Sequence, residues 1–330
     1  MKIFSGIQPT GRKHLGNYIG AIRQYVDGQD QGDPAIYCIV DLHAITVPWE
    51  PDELRSQVHD TTAILLAAGL EPERCVLFRQ SDVREHTELT WYLSALTAHG
   101  DLNRMTQFKE KTEKARELVS AGLFYYPVLM AADVLAYKAD TVPVGEDQRQ
   151  HVELMREIAR RFNERFGEIL VEPEGKIPEV GARIMDLQEP TSKMSTTAGT
   201  DQGTVLVLDE PKTVTKKVKS AVTDSGSEVT RSGEGKEGIA NLIEILSVVR
   251  GAGMDEIERE FEGSGYGDFK GAVADEVVDF LAPVRERYEQ IRADEAAIEA
   301  ALEAGAERAR EIAAATLAEV REAVGVGPSA

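Results

Sequence analysis

The chain has 330 residues, and its 37 basic and 57 acidic side chains leave a formal net charge of −20. With 42% hydrophobic and 28% charged residues the balance is that of a globular protein and not of a disordered chain. No apolar run approaches the roughly 18 residues of a membrane-spanning helix. Cys38 and Cys75 are too few for a disulfide scaffold or for Cys-rich zinc and iron–sulfur sites.

The N-terminal stretch MKIFSGIQPTGRKHLG meets Gly, Pro and Arg too early for a secretory signal, so a cytoplasmic location is expected. The length exceeds the roughly 250–300 residues at which a single core stops growing, which favours two domains. The net acidity argues against non-specific nucleic-acid binding. It is uneven, however, because residues 251–330 hold 8 basic and 19 acidic side chains. A polyanion would then need a local basic surface such as Lys212, Lys216, Lys217 and Lys219, although a solvated helix face is the plainer reading of that run.

In chain order, strands are expected at Lys2–Gly6, Ala35–Asp41, Cys75–Arg79 and Thr141–Gly145. The runs IYCIV and VLF are continuously apolar, as strands covered on both faces are. Helical periodicity falls at Leu15–Val26, Pro51–Ala68 and Asp147–Phe166, and the strand-to-strand gaps suit crossover helices. The fold class is therefore α/β: a Rossmann-like parallel-sheet catalytic domain, then a mostly α-helical C-terminal domain. The expected divisions are 1–187 for the first, 188–204 for a Ser/Thr/Gly-rich mobile loop and 205–330 for the second. Gly305 interrupts the last helical pattern and makes a break there plausible. Trp49 and Trp91 read as packing residues.

The first chemical signal is Gln8-Pro9-Thr10-Gly11-Arg12-Lys13-His14-Leu15-Gly16-Asn17, between a strand and a helix. A helix start offers unpaired N–H groups and a positive dipole end to a phosphate. Gly16 allows close approach, and His14 and Asn17 share one face of the first turn, where both reach one anion. A simple capped helix start with a surface His is the alternative. The second signal is Lys193-Met194-Ser195-Thr196-Thr197, where a lysine on a polar loop can neutralise a leaving pyrophosphate, although taken singly this is an ordinary polar loop. In Tyr126-Pro127-Val128-Leu129-Met130-Ala131-Ala132-Asp133, helical spacing puts Tyr126, Met130 and Asp133 on one face. A carboxylate among apolar neighbours needs a donor partner, an exposed or ion-paired Asp being the alternative.

HLGN and KMSTT together resemble the HIGH and KMSKS signatures of class I aminoacyl-tRNA synthetases, in the order and spacing of the compact tryptophanyl and tyrosyl branch. FSGIQPTG, CIVDLHAIT, RMTQFKEK, YPVLMAADVL, VPVGEDQRQH, GARIMDL and KSAVTD are similar to bacterial members of the tryptophanyl side, across essentially the whole chain. The resemblance implies activation of L-tryptophan with ATP and transfer to tRNA(Trp), by a cytoplasmic homodimer with no membrane association. It implies Lys193, Lys111, His14, Asn17 and Thr10 as catalytic. ATP would meet Gln8, Pro9, Thr10, Gly16, Asn17, Gly145, Glu146, Asp147, Ile184, Lys193, Met194, Ser195, Thr196 and Thr197. Tryptophan would meet Asp133 at the ring nitrogen and Tyr126, Gln148 and Gln8 at its amino and carboxylate groups. Phe4, His43, Met130, Val142 and Val144 would form the pocket wall.

Mg²⁺ would be bound mainly through ATP phosphates, with no protein side chain as metal ligand. The chain departs from the family pattern at Thr196, where a second loop lysine is usual. Lys109 and Lys111 are the candidate replacements, Lys111 first, with Mg²⁺ another. The sister enzyme that uses tyrosine is the nearest alternative. A non-catalytic paralogue is favoured only by KMSTT and opposed by the intact HLGN, GEDQ and MAAD segments.

Overall fold

Three apolar runs form the centre of the molecule. In the computed structural model, which describes residues 2–29, 35–106, 119–145, 148–176, 184–196 and 199–327, they are β1 (Phe4–Ile7), β2 (Ile36–Ile39) and β3 (Val76–Arg79). They pair in parallel in that order, Phe4 opposite Ile36 and Ile36 opposite Val76. β4 (Thr141–Pro143) pairs in parallel with β5 (Glu174–Lys176), and a parallel bridge from Ile3 to Thr141 places β4 beside β1. The order is therefore β5-β4-β1-β2-β3, a parallel Rossmann-like sheet as expected. The strand β5 was not anticipated: Glu174-Gly175-Lys176 is exposed throughout and carries no apolar signal.

Helices follow the strands: α1 (Leu15–Asn17), a π-helical turn at Tyr18–Ile22, α2 (Arg23–Gly28), α3 (Asp41–Ala44), α4 (Pro51–Ala68), α5 (Glu85–Ser94) and α6 (His99–Asn103). Next come α7 (Ala121–Leu135), α8 (Arg149–Phe166), α9 (Pro211–Lys219), α10 (Glu237–Arg250), α11 (Met254–Glu260), α12 (Tyr266–Arg292) and α13 (Glu295–Val324). The helix α4 starts on Pro51 with Asp52 and Glu53 in its first turn, and ends on Gly69 at φ +110°. That is the Pro-first, acid-first, Gly-last order that the helix dipole and the left-handed cap favour.

Alternation along the strands divides the core. Tyr37, Ile39 and Leu77 face one side, with residues of α4, α10 and α12; Ile36, Cys38, Val76 and Phe78 face the other, with residues of α5, α7 and α8. The last helix joins both cores, contributing Ile298 and Leu302 to the first and Ala306, Ala309, Ala313, Leu317 and Val320 to the second. It runs unbroken through Gly305. A Cβ there would lie 1.7 Å from the Leu77 carbonyl oxygen, so the glycine allows the helix to approach the backbone of β3. Helix α13 thereby lies against the strand at the end of the sheet, which would otherwise present unpaired groups.

Trp49 and Trp91 are not packing residues, being 51% and 74% exposed. Trp91 lies on the outer side of α5, whose inner side buries His86, Leu89, Thr90 and Leu93. No helix among the described residues is long and apolar enough to cross a membrane.

Candidate active site

The sheet order reverses between β1 and β4. In open α/β sheets, ligands bind in the crevice outside the strand ends at such a reversal. Gln8, Pro9 and Thr10 leave β1 on this edge, and Val144 and Gly145 leave β4 beside them. Gln148 follows as the N-cap of α8, its N–H donating to the Gly145 carbonyl at 2.9 Å. Glu146 and Asp147 lie outside the described residues, as do Thr197, Lys109 and Lys111.

On the β1 side, His14 is the N-cap of α1 in extended conformation. Its Nδ1 accepts the Asn17 N–H at 3.3 Å, while Asn17 Oδ1 accepts the His14 N–H at 3.1 Å. This reciprocal capping differs from the expected pair on one turn of the helix. The cap itself was the alternative, but His14 is buried and not on the surface. Burial first, then the charges of Lys193 and Lys13, lowers His14 to about 4. At neutral pH the ring is uncharged, and with Nδ1 accepting, its proton is on Nε2, leaving an N–H donor for an acceptor outside the cap.

The KMSTT segment, 180 residues away in sequence, pairs with Ile184 and Met185 beside this loop. Lys193 bridges to Met185, and the Met194 N–H donates to the Ile184 carbonyl at 3.0 Å. The next segment pairs with the first loop: Leu15 N–H to Val205 O at 2.8 Å and Val207 N–H to Lys13 O at 2.9 Å. Lys193 is exposed, whereas Met194 and Ile184 are each 1% exposed and anchor the segment in the core. A Cβ on Gly16 would touch Ile184, and one on Gly11 (φ +73°) would lie 3.2 Å from Thr196 Oγ1. Thus Thr10, His14, Gly16, Ile184, Lys193, Ser195 and Thr196 share one side of the crevice.

Lys13 was not anticipated. The residue is 8% exposed, and its ammonium donates to the carbonyls of Gln8 at 2.7 Å, Thr10 at 3.3 Å and Gly11 at 3.5 Å. Nothing in the local pattern distinguishes it from the exposed Arg12 beside it.

On the other side, Asp133 sits in α7 at 2% exposure. Its Oδ1 accepts from Gln80 Nε2 at 2.7 Å and from His86 Nδ1 at 2.6 Å, and its Oδ2 from His43 Nε2 at 2.8 Å. With Nδ1 of His86 donating, Nε2 accepts the Tyr137 hydroxyl at 2.7 Å. Burial by itself would raise the Asp133 carboxyl, but the hydrogen bonds from His43 and His86 outweigh it and hold the group below the usual carboxylate range. A carboxylate oxygen accepts two hydrogen bonds, so Oδ1 is filled by the protein, while among the described residues His43 alone donates to Oδ2 and one lone pair is left.

The donor requirement was legible from Asp133 and its apolar neighbours; Gln80, His86 and Tyr137 were not. Around the carboxylate, Phe4 stacks on Tyr137 at 5.5 Å and the His43 and Tyr126 rings are 6.0 Å apart. Met130, Val142 and Val144 belong to the same apolar cluster. Tyr126, pushed up to about 12 by burial, contacts His151 Nε2 through its hydroxyl at 2.9 Å.

The basic run is only partly a solvated face. Lys212, Lys216 and Lys219 are exposed, but Lys217 is buried, donating to Thr204 O and Asp209 Oδ2 at 2.7 Å each. Among the C-terminal arginines, Arg285 donates to Asp209 O, Arg292 pairs with Asp60 and Arg308 donates to Pro72 O, all joining late helices to earlier parts of the chain.

The family described as tRNA synthetases class I (W and Y) matches residues 1–282. Tryptophan–tRNA ligase 2 of Streptomyces avermitilis is 50% identical over 330 residues, 99% of this chain and 98% of that protein. The crystal structure of tryptophanyl-tRNA synthetase from Mycoplasma pneumoniae is similar at a TM-score of 0.91 and 34% identity, covering 99% of this chain and 98% of that one. The Campylobacter jejuni tryptophanyl-tRNA synthetase, complexed with ADP and tryptophan, is similar at 0.84 and 35%, covering 99% and 100%. With that family matching residues 1–282 and a relative half identical over nearly the whole length, the chain belongs to the class I tRNA synthetases of the tryptophanyl and tyrosyl family.

Proposed function

We propose that the two sides of this crevice divide the work of amino-acid activation, Asp133 selecting the indole and the Gln8–Asn17 and Lys193–Thr196 segments holding ATP. The activity is that of a tryptophan–tRNA ligase, an ATP-dependent enzyme. The tryptophan carboxylate attacks the α-phosphorus of ATP, forming tryptophanyl-adenylate and releasing pyrophosphate. A hydroxyl of the terminal tRNA ribose then attacks the adenylate carbonyl, and AMP leaves. Neither step requires a covalent enzyme intermediate; alignment and charge placement carry them.

In this reading the Nε2–H of His14, Asn17, Thr10 and Lys193 hold phosphate oxygens, with Lys111 assisting. Gly16 gives the backbone close approach, and Pro9, Met194, Ser195 and Thr197 shape the phosphate side. Gly145, Glu146 and Asp147 receive the ribose, and Ile184 the adenine. Gln8 meets the tryptophan carboxylate, while Tyr126 and Gln148 meet its amino group. Phe4, His43, Met130, Val142 and Val144 wall the ring. Mg²⁺, held mainly through ATP phosphates, would neutralise charge on the departing pyrophosphate; the ammonium, imidazole and amide donors here suit phosphate oxygens and not a metal ion. Residues 1–187 form the catalytic part, 188–204 the loop that closes on ATP, and 205–330 the side facing the tRNA anticodon. The working form is a cytoplasmic homodimer acting on tRNA(Trp).

The single observation carrying this reading is the buried Asp133 carboxylate with one lone pair left on Oδ2. An indole N–H fills that position and asks for no acceptor in return. ATP–pyrophosphate exchange tests it: the rate is expected to depend on tryptophan, with tyrosine disfavoured by about 10⁴ or more. Equal exchange with tyrosine would reject the assignment.

A further inference from the structure

We infer that Lys13 is a positioning residue that places a fixed positive charge behind the phosphate loop, compensating for the lysine replaced by Thr196. This rests on the reading of the crevice as the ATP site, and it is separate from the role assigned to Lys111.

Three observations carry it. First, the Lys13 ammonium is inside the loop: it donates to the carbonyls of Gln8, Thr10 and Gly11, and no carboxylate of the described residues pairs with it. Burial is the cause that lowers it, to about 8, so at neutral pH it remains charged. An ammonium held from water without a counter-ion is costly, and an incoming anion relieves that cost. Second, a trans peptide points its C=O and N–H in opposite directions. With the Thr10 and Gly11 carbonyls turned onto Lys13, the N–H groups of Gly11 and Arg12 point away from it. The ammonium polarises these peptide units and strengthens the donors on their far side. Third, Thr196 faces that loop from outside, its Oγ1 lying 3.2 Å from where a Gly11 Cβ would be. Lys13 and Thr196 thus flank the same peptide units. The charge from Lys13 also reaches His14, where it acts in the same direction as Lys193.

The test is a double-mutant cycle read by tryptophan-dependent ATP–pyrophosphate exchange, using Lys13→Gln, Thr196→Lys and the double variant. Gln keeps a donor for the carbonyls and removes the charge. Lys13→Gln is expected to lower kcat/KM for ATP by about 10- to 100-fold, with the KM for tryptophan within about threefold of wild type. Thr196→Lys is expected to raise wild type by about threefold but the Lys13→Gln variant by tenfold or more. A loop clamp without an electrostatic role would not be rescued by a lysine on the opposite segment, so equal gains in both backgrounds overturn the inference. A gain of tenfold or more from Thr196→Lys in wild type also overturns it, whether or not the Lys13 variants fold. Tryptophan binding by equilibrium dialysis checks that they do. Wild-type protein without tryptophan-dependent exchange would reject the ATP-site reading itself; an active wild type with an additive cycle rejects only the role of Lys13.

Discussion

Nε2 of His43 lies 2.8 Å from Oδ2 of Asp133, tying the short helix after β2 to the last turn of α7. The contact orients the carboxylate, and Gln80 and His86 complete its support on the other oxygen. Replacing Asp133 by Ala leaves these donors buried without an acceptor. A stability loss of about 3–5 kcal/mol is expected from such a deletion. Tryptophan selection should fall with it, by a factor of about 100 or more in kcat/KM. Thermal melting and pyrophosphate exchange with tryptophan against tyrosine measure the two effects. Unchanged selection in a folded Asp133→Ala variant contradicts the assignment.

The His14–Asn17 cap makes stability depend on pH. His14 titrates at about 4 in the fold, against about 6.5 in an unfolded chain. The unfolded chain therefore takes up this proton first. The contribution of neutral His14 is complete above pH ~6.5 and is lost as pH falls towards ~4. Melting temperature should decline across that window, and His14→Asn, which retains a capping acceptor, should flatten the decline. A decline of the same size in the variant would remove His14 as its source.

Gly305 lies against the Leu77 carbonyl, leaving no space for a methyl group. In an unconstrained helix Gly→Ala is stabilising by up to ~1 kcal/mol. Here Gly305→Ala is expected instead to destabilise by about 2–3 kcal/mol or more, because helix or strand must shift. Denaturant unfolding gives the sign directly.

Lys217 links α9 to the segment that pairs with the phosphate loop, through Thr204 O and Asp209 Oδ2. Asp209 Oδ2 in turn accepts the Leu206 N–H at 2.9 Å. Lys217→Met should cost about 3 kcal/mol, the penalty for leaving a largely buried charge unpaired. It should also raise the KM for ATP more than that for tryptophan. Equal increases in both would place its effect outside the phosphate side.

Trp91 is 74% exposed, so Trp91→Ala should change stability by no more than ~0.5 kcal/mol. Its fluorescence should be accessible to an aqueous quencher. A blue-shifted, unquenched emission from Trp91 would instead place it under cover.

The apolar runs of β2 and β3 were legible because both faces of these strands are buried, and burial on both faces is a compositional property. Glu174–Lys176 was not, since those residues become a strand only where β4 offers a partner. The Gln8–Asn17 loop stood out by its residue types, but the choice between exposed Arg12 and buried Lys13 depends on how the loop curls around an amine. Exposure of Trp91 depended likewise on which side of α5 meets the sheet.

Asp133 marks the division most clearly. A lone acid in an apolar helix already implies a donor, because burying an unpaired carboxylate is prohibitive, and that much is local chemistry. Which donors answer is not local: His43, Gln80 and His86 lie 90, 53 and 47 residues away along the chain. Residue type and short-range spacing determined β1 to β4, the paired signatures and the need for a partner. Only the packing of helices on the sheet decided the partners, because hydrogen bonds are directional and span about 3 Å, whatever the distance between residues along the backbone.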